Sequence, residues 1–351
     1  MTRREILAMA GSAPVWLSAV SPLAEAQQGK TRLGAARAAF NLRQQAEGRI
    51  WAATPMVEHC HAIGLGGAQT TLESLELESA RQLRQKVEGY GMQLILNTPD
   101  LPAGQDQAPK FEAAIQACKE AGAFCLHVEL SMVRWEHYDS LDAFRKDFQR
   151  LQNAVAAAEP VLRKYKIKLA IENHKDWRAA EQVAWLKRLS SEWVGVCYDL
   201  ANNFTLCEDP TDTLRMLAPY TIMCHIKDVA LDTYEDGFLL SEVVMGEGML
   251  DLKQIVQTLR QRDANMPFYL EMVTRDPWKI PVFTDKYWAS FDDSYSPLPG
   301  RDLARMLNLV RKNPPKKPLP HVTGLSTEAA VKFEDDNILK CIEYARQVLS
   351  I

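Results

Sequence analysis

The chain has 351 residues, of which 47% are hydrophobic and 25% charged; 41 Lys and Arg stand against 45 Asp and Glu, a formal net charge of −4. Ordinary apolar content with so little net charge excludes a largely disordered chain. The lack of a basic excess excludes a general nucleic-acid or membrane-surface binder.

Residues 1–28 read as an address. Arg3 and Arg4 precede a mild apolar stretch at 6–23, and Ala24-Glu25-Ala26 supplies a small-residue cleavage pattern. This predicts an export signal of the twin-arginine type and a periplasmic or extracellular mature protein. Pro14 and Pro22 argue against a membrane span there, and no later run is long and apolar enough to be one, so no membrane partner is expected. The seven cysteines have an odd count and no CxxC pair, which is not a disulfide framework.

From residue 29 onward, short apolar runs alternate with longer amphipathic stretches. Strands are predicted at 36–42, 68–72, 92–96, 124–129, 167–172, 194–199, 221–226 and 267–272, the first two on weak patterns. Helices are predicted between them at 55–63, 78–90, 110–121, 141–165, 177–189, 211–217 and 252–262. Continuous apolar strands separated by helices indicate an α/β fold with a parallel sheet buried on both faces. Eight such units match a (β/α)8 TIM barrel over 29–275. No GxGxxG follows the first strand, which disfavours a doubly wound sheet. Residues 276–351 are rich in Pro and aromatics and read as a C-terminal extension packing on the barrel, with helices near 301–311 and 327–349 and a solvated basic linker at 312–317.

Four predicted strands end alike. KLAIE stops at Glu172, VGVCYD at Asp199, TIMCH at His225 and FYLE at Glu271. In a barrel these ends meet at the C-terminal mouth, where active sites are built. Three carboxylates buried together repel one another, and a divalent cation removes that cost. Two Glu, one Asp and one His form an oxygen-rich set that suits Mn²⁺, Mg²⁺ or Co²⁺ better than a thiolate-type zinc site. His59 and His61 sit two apart on a predicted helix and face different ways, so they read as structural. His127, mid-strand in FCLHVEL, reads as a satisfied interior residue. Arg134-Trp135-Glu136 reads as a loop that either reaches the mouth or lies on the surface.

The strings IENH (171–174), CYDLANN (197–203), CHIKD (224–228), GEGMLD (246–251) and YLE (269–271) resemble the xylose-isomerase-like barrel superfamily of sugar isomerases and ketose 3-epimerases. That resemblance implies that Glu172, Asp199, His225 and Glu271 bind one divalent ion, Mn²⁺ first and Mg²⁺, Co²⁺ or Zn²⁺ otherwise, with Glu172 and Glu271 as the acid/base pair. Such a pair next to a metal-held carbonyl removes and returns a proton through an enediolate, which is epimerisation or isomerisation. Two positions depart from the ketose 3-epimerase pattern: Asn202 stands where those enzymes have a His, and Leu231 where they have a sugar-gripping Arg. Asn202, His174, Lys227 and Glu129 are therefore the expected substrate contacts, with a structural salt bridge or loop contact as the alternative for His174 and Lys227, and Glu247 in its Gly-flanked loop either covers the mouth or is a simple turn. The expected function is a metal-dependent isomerase or epimerase acting on a sugar or polyol. A lyase for 3-keto sugars or glycosides and a non-catalytic carbohydrate-binding barrel are the alternatives. A nuclease like endonuclease IV is disfavoured by the scattered His and the acidic charge.

Overall fold

The computed structural model describes residues 31–291 and 300–351; the expected export signal at 1–28 lies outside the described residues. Short runs of apolar and small residues pair in parallel as β1 (Gly34–Ala36), β2 (Gly67–Thr70), β3 (Gln93–Asn97), β4 (Cys125–Val128), β5 (Lys168–Glu172), β6 (Val194–Asp199) and β7 (Thr221–Ile226). A hairpin follows, β8 (Asp228–Tyr234) and β9 (Gly237–Val243), and then β10 (Phe268–Leu270), the eighth barrel strand. β1 bonds β2 on one side and β10 on the other, which closes the ring as a (β/α)8 barrel. The helices Leu141–Tyr165 and Leu252–Arg262 fall at their expected limits, each started by a side chain that caps a backbone N–H, Ser140 for Ala143 and Asp251 for Gln254.

Two expectations need correction. The first strand is 34–36 rather than 36–42: residues 37–40 form a 3-10 turn and Asn41–Ala46 a helix, and the apolar pair Ala39 and Phe40 is the buried side of that turn. The stretch after His225, where no strand is predicted before 267, contains the antiparallel β8–β9 hairpin, which β11 (Trp278–Ile280) joins to make a three-stranded sheet outside the barrel.

The weakness of the first two strand signals has a packing cause. Tyr269 of β10 fills the barrel interior with an apolar layer of Ile95, Cys125, Ala170, Cys197 and Met223, and its hydroxyl donates to the Gln93 carbonyl at 3.1 Å. A Cβ on Gly34 would overlap the Tyr269 ring, and one on Gly67 would lie 2.6 Å from its hydroxyl and 3.0 Å from the Gln93 carbonyl. Small residues are required opposite this plug, so β1 and β2 cannot carry the branched residues that announce a strand.

The C-terminal residues pack in two places. Leu303, Met306, Leu307 and Val310 of the helix Gly300–Lys312 join Val229, Leu231, Phe238 and Leu240 of the hairpin, with Trp135, Tyr287 and Phe291, in a separate apolar cluster. Ile338, Cys341 and Ile342 of the helix Thr327–Tyr344 join the main core around the barrel. From that helix Glu334 accepts the backbone N–H groups of Leu42 and Arg43 at 2.7 and 2.9 Å, so it caps the turn that follows β1. All seven cysteines are free and buried, and among the described residues no helix is long and apolar enough to cross a membrane.

Gly67→Ala is expected to cost about 1–3 kcal/mol by overpacking the barrel floor. Gly89→Ala, where nothing lies within 4 Å of the added methyl, is expected to change stability by less than about 1 kcal/mol. Urea unfolding of the two variants checks the contrast.

Candidate active site

Side chains on a strand alternate in direction, so a residue two positions past an interior one faces inward as well. The apolar floor therefore dictates the next layer. Past Gly67 stands Gln69, past Ile95 Asn97, past Cys125 His127, past Ala170 Glu172, past Cys197 Asp199, past Met223 His225 and past Tyr269 Glu271. Seven strands thus place a polar side chain over the plug at the C-terminal end of the barrel.

The four strand-end residues come together. One ligand atom each from Glu172, Asp199, His225 and Glu271 lie within 4.8 Å of one another, all buried. His225 Nδ1 is 3.2 Å from Oε2 of Glu172 and 3.2 Å from Oε2 of Glu271. Its other nitrogen, Nε2, is 2.6 Å from Gln69 Oε1. Gln69 in turn donates to Asn97 Oδ1 at 3.2 Å, and Asn97 donates to Thr71 Oγ1 at 3.2 Å. This amide relay fixes the direction of every bond in it: Gln69 Oε1 is an acceptor, so His225 donates its Nε2–H there and turns Nδ1 to the carboxylates. Burial opposes the charged ring, but Cys197, Glu271 and Glu172 outweigh it and hold the imidazole pKa well above the ordinary value, so a cation at Nδ1 would take the place of a proton.

Glu172 is held from both sides. His127 Nε2 lies 2.8 Å from Oε2, and Asn202 donates to Oε1 at 2.7 Å. Burial and the nearby Glu271 charge push its carboxyl up, but His225 and the bonds from His127 and His225 outweigh them and hold it well below the ordinary range. Glu271 is also held low, because His225 and Lys227 outweigh its burial. Burial lifts Asp199 to about 7 against the pull of Lys227. Lys227 reaches Asp199 Oδ2 at 2.6 Å and Glu271 Oε2 at 3.0 Å. Glu242, 3.6 Å from Lys227, is matched by Arg275 at 3.1 Å. Backbone geometry is fixed by Asn173, whose side chain accepts the Asp199 N–H at 2.7 Å and donates to the Asp199 carbonyl at 2.8 Å.

The donor set fits a divalent cation. With the protons of Asp199 and of His225 Nδ1 displaced, Glu172, Asp199 and Glu271 would bring three negative charges against the one positive charge of Lys227, which leaves a charge of two for a cation to balance. Of the converging atoms, His225 Nδ1 is buried with no well-formed hydrogen bond, and Asp199 Oδ2 has only the Lys227 ammonium beside it. A second grouping, of His127, Glu172, Cys197 and His225, fits less well: burial pushes the Cys197 thiol up to about 12, so it keeps its proton.

The other expected residues divide. Asn202 and Lys227 hold the cluster itself. Glu129 opens into a cavity of about 640 Å³ that runs over Gln69, Asn97, His127 and Glu271. His174 lies beside the mouth, with Nδ1 3.1 Å from the Ser131 carbonyl, Nε2 3.2 Å from Lys175 Nζ and 3.7 Å from Glu129; burial and Lys175 lower its pKa to about 4. Glu247 sits in a turn, not over the mouth: Asp228 accepts the N–H groups of Gly246, Gly248 and Leu250 and fixes the GEG loop. Arg134 does not reach the mouth either. It is buried, its guanidinium lies 3.6 Å from the Phe144 ring centroid and 4.1 Å from that of Phe291, and it donates to Glu181. His59 packs on Phe40 and Trp51, and His61 stacks on Tyr90, as expected for structural residues. His127, expected only as a satisfied interior residue, belongs to the polar layer, and so do Gln69 and Asn97, which the sequence motifs do not mark. Their signal is the two-residue step past an interior residue, which becomes readable once the floor of the barrel is known.

Residues 57–288 match the family described as xylose isomerase-like TIM barrel. A 3-oxo-isoapionate decarboxylase of Pectobacterium atrosepticum is 28% identical over 109 residues, which is 30% of this chain, and the chain spans 40% of that relative's length. A crystal structure of D-psicose 3-epimerase in the presence of D-fructose superposes with a TM-score of 0.53 at 14% identity, over 86% of this chain and 96% of its own. A xylose isomerase domain protein from Planctomyces limnophilus gives 0.52 at 13% identity, over 81% and 97%. At such identities the structural likeness speaks for the fold alone.

Gln69→Leu leaves the buried His225 Nε2–H without an acceptor and is expected to weaken Mn²⁺ binding about 10- to 100-fold in calorimetric titration of chelator-stripped protein. With Asp199 lifted to about 7, a cation must displace a proton at or below neutral pH. Binding should therefore release protons and tighten by about tenfold per pH unit for each proton displaced; an affinity that rises as pH falls would contradict the assignment of these ligands.

Proposed function

The chain belongs to the xylose isomerase-like TIM barrel family, and from that membership we propose that it is a divalent-metal-dependent sugar isomerase or epimerase. Two glutamates transfer the proton next to the carbonyl. The observation that carries the reading is the placement of two buried carboxylates, Glu172 and Glu271, each 3.2 Å from the same nitrogen of His225. Glu172, Asp199, His225 and Glu271 hold one cation, with Mn²⁺ the first choice for so oxygen-rich a set and Mg²⁺, Co²⁺ or Zn²⁺ as alternatives. A bound divalent ion supplies Lewis acidity toward adjacent carbonyl and hydroxyl oxygens of a sugar and so acidifies the C–H between them.

The protein's part is positioning and proton transfer. Asn202 and His127 lock the Glu172 carboxylate in one orientation, while Lys227 holds that of Glu271. Two carboxylates fixed around one point allow a proton to leave toward one and return from the other, which inverts a carbon or moves the carbonyl to its neighbour. Glu129, His174 and the rim of the cavity supply substrate contacts. The expected export signal would give an exported enzyme that meets free sugars or polyols; this is a proposal that fractionation of cells expressing the full chain tests.

A second reading is favoured by one finding, the decarboxylase among the curated relatives. It is a lyase reaction on a 3-keto sugar or glycoside, which starts with the same proton abstraction and ends with loss of a substituent; a decarboxylase reaches an enolate by losing CO2 instead, so the two share the need to stabilise negative charge beside a carbonyl and not the first step. A carbohydrate-binding barrel without catalysis would instead bind sugar and leave its C–H bonds untouched.

Incubation of the Mn²⁺-loaded protein with ketoses and 3-keto-glycosides in heavy water separates the readings. Deuterium at the carbon next to the carbonyl is expected by NMR, and Glu172→Gln or Glu271→Gln is expected to slow its entry by at least about 100-fold. Normal exchange in either variant removes that residue's proposed role, and binding without exchange leaves only the non-catalytic barrel.

A further inference from the structure

Two arginines, Arg37 and Arg150, line the cavity over the polar layer. Arg150 is neutralised, since its guanidinium lies 2.6 Å from Asp147. Arg37 is not. It stands directly after β1 at the C-terminal end of the barrel. Among the described residues its guanidinium makes one hydrogen bond, a long one of 3.5 Å to the Trp51 carbonyl. Among the described residues no carboxylate stands within ion-pair distance of it, and half-burial alone lowers its pKa with no acid to offset the loss of water. A guanidinium drawn out of water without a counter-charge is costly, and its planar fork of donors matches a carboxylate in two parallel bonds.

We infer that Arg37 is a substrate-binding residue that takes the carboxylate of a sugar acid, so that the preferred substrates carry an acid group at the end remote from the metal-capable cluster. This rests on the reading of the cavity as a sugar site. The cavity has a floor of His127, Gln69, Asn97 and Glu271 and a wall to which Arg37 belongs; Arg37 also borders a neighbouring hollow with Gln44, Gln45 and Arg49, so its guanidinium stands at the rim between the two. The cavity volume of about 640 Å³ leaves room for a six-carbon chain between that floor and Arg37. A carboxylate suits the wall better than a phosphate ester, because Asp100 and Glu129 line the same cavity and a single guanidinium balances one charge, not two.

Binding of compounds that cannot react tests this apart from catalysis. Calorimetry on the Mn²⁺-loaded full chain would compare D-gluconate with D-glucitol, equal in length and differing in the acid, and with D-glucitol 6-phosphate. Gluconate is expected to bind about 10- to 100-fold more tightly than glucitol. The advantage should vanish in Arg37→Met and return in part in Arg37→Lys, with thermal unfolding showing that each variant is folded. Equal binding of gluconate and glucitol overturns the inference, as does an advantage that survives in Arg37→Met, or failure of gluconate to bind. Tighter binding of the phosphate through Arg37 overturns the carboxylate assignment. None of these results bears on deuterium exchange, so the acid preference and the isomerase reading fail separately.

Discussion

Three carboxylates buried at one point are the constraint on which the rest of this molecule depends. Glu172, Asp199 and Glu271 would each be protonated or solvent-exposed if left alone in an apolar core. Their neighbours show how much structure is committed to keeping the two glutamates charged and all three together. Lys227 is itself buried and bridges Asp199 and Glu271. Asn173 bonds the backbone of Asp199 from the adjacent strand. His127 and Asn202 occupy both oxygens of Glu172. Removing one partner from such a network costs about 3–5 kcal/mol, because a buried charge is left unmatched. The arrangement is therefore held for what it can bind and do rather than for stability, which an apolar packing would supply more cheaply.

Packing and chemistry are coupled through the two-residue period of the strands. Tyr269 plugs the floor and Glu271, two residues on, enters the cluster. The same step links Met223 to His225 and Cys197 to Asp199. A one-residue slip in any of these strands would turn its polar residue toward the surrounding helices and its helix-facing residue into the barrel. The plug thus sets the register that aims the functional layer, and the glycines opposite it on β1 and β2 are part of the same device.

How much can be read from the sequence follows from these constraints. A charged residue closing an apolar run is conspicuous, so Glu172, Asp199, His225 and Glu271 stand out, and β5 to β7 are legible with them. His127 lies inside FCLHVEL with apolar neighbours on both sides and marks no boundary. Gln69 and Asn97 are ordinary amides whose role exists only through His225. β1 is Gly-Ala-Ala and carries no pattern, because its side chains are surrendered to Tyr269. The β8–β9 hairpin does leave a trace, since DVALDTY and GFLLSEV flank a turn at Glu235 and Asp236, but the motif-bearing strings on either side draw the segment into the loop of a βα unit. Arg134 is undecidable from sequence, since its partners Phe144, Glu181 and Phe291 are remote in the chain.

The two departures from the ketose 3-epimerase pattern each have a packing role. Asn202, in place of a His, spends its amide on Glu172. Leu231, in place of a sugar-gripping Arg, is fully buried on β8, where the helix Gly300–Lys312 packs through Leu303, Met306 and Val310. An arginine at position 231 would have to bury its charge beneath that helix. On this side of the mouth the C-terminal helix covers the hairpin. The open cavity accordingly lies on the opposite side, walled by residues that follow β1, β3 and β4. Arg37, which has no carboxylate partner among the described residues, stands on that open side.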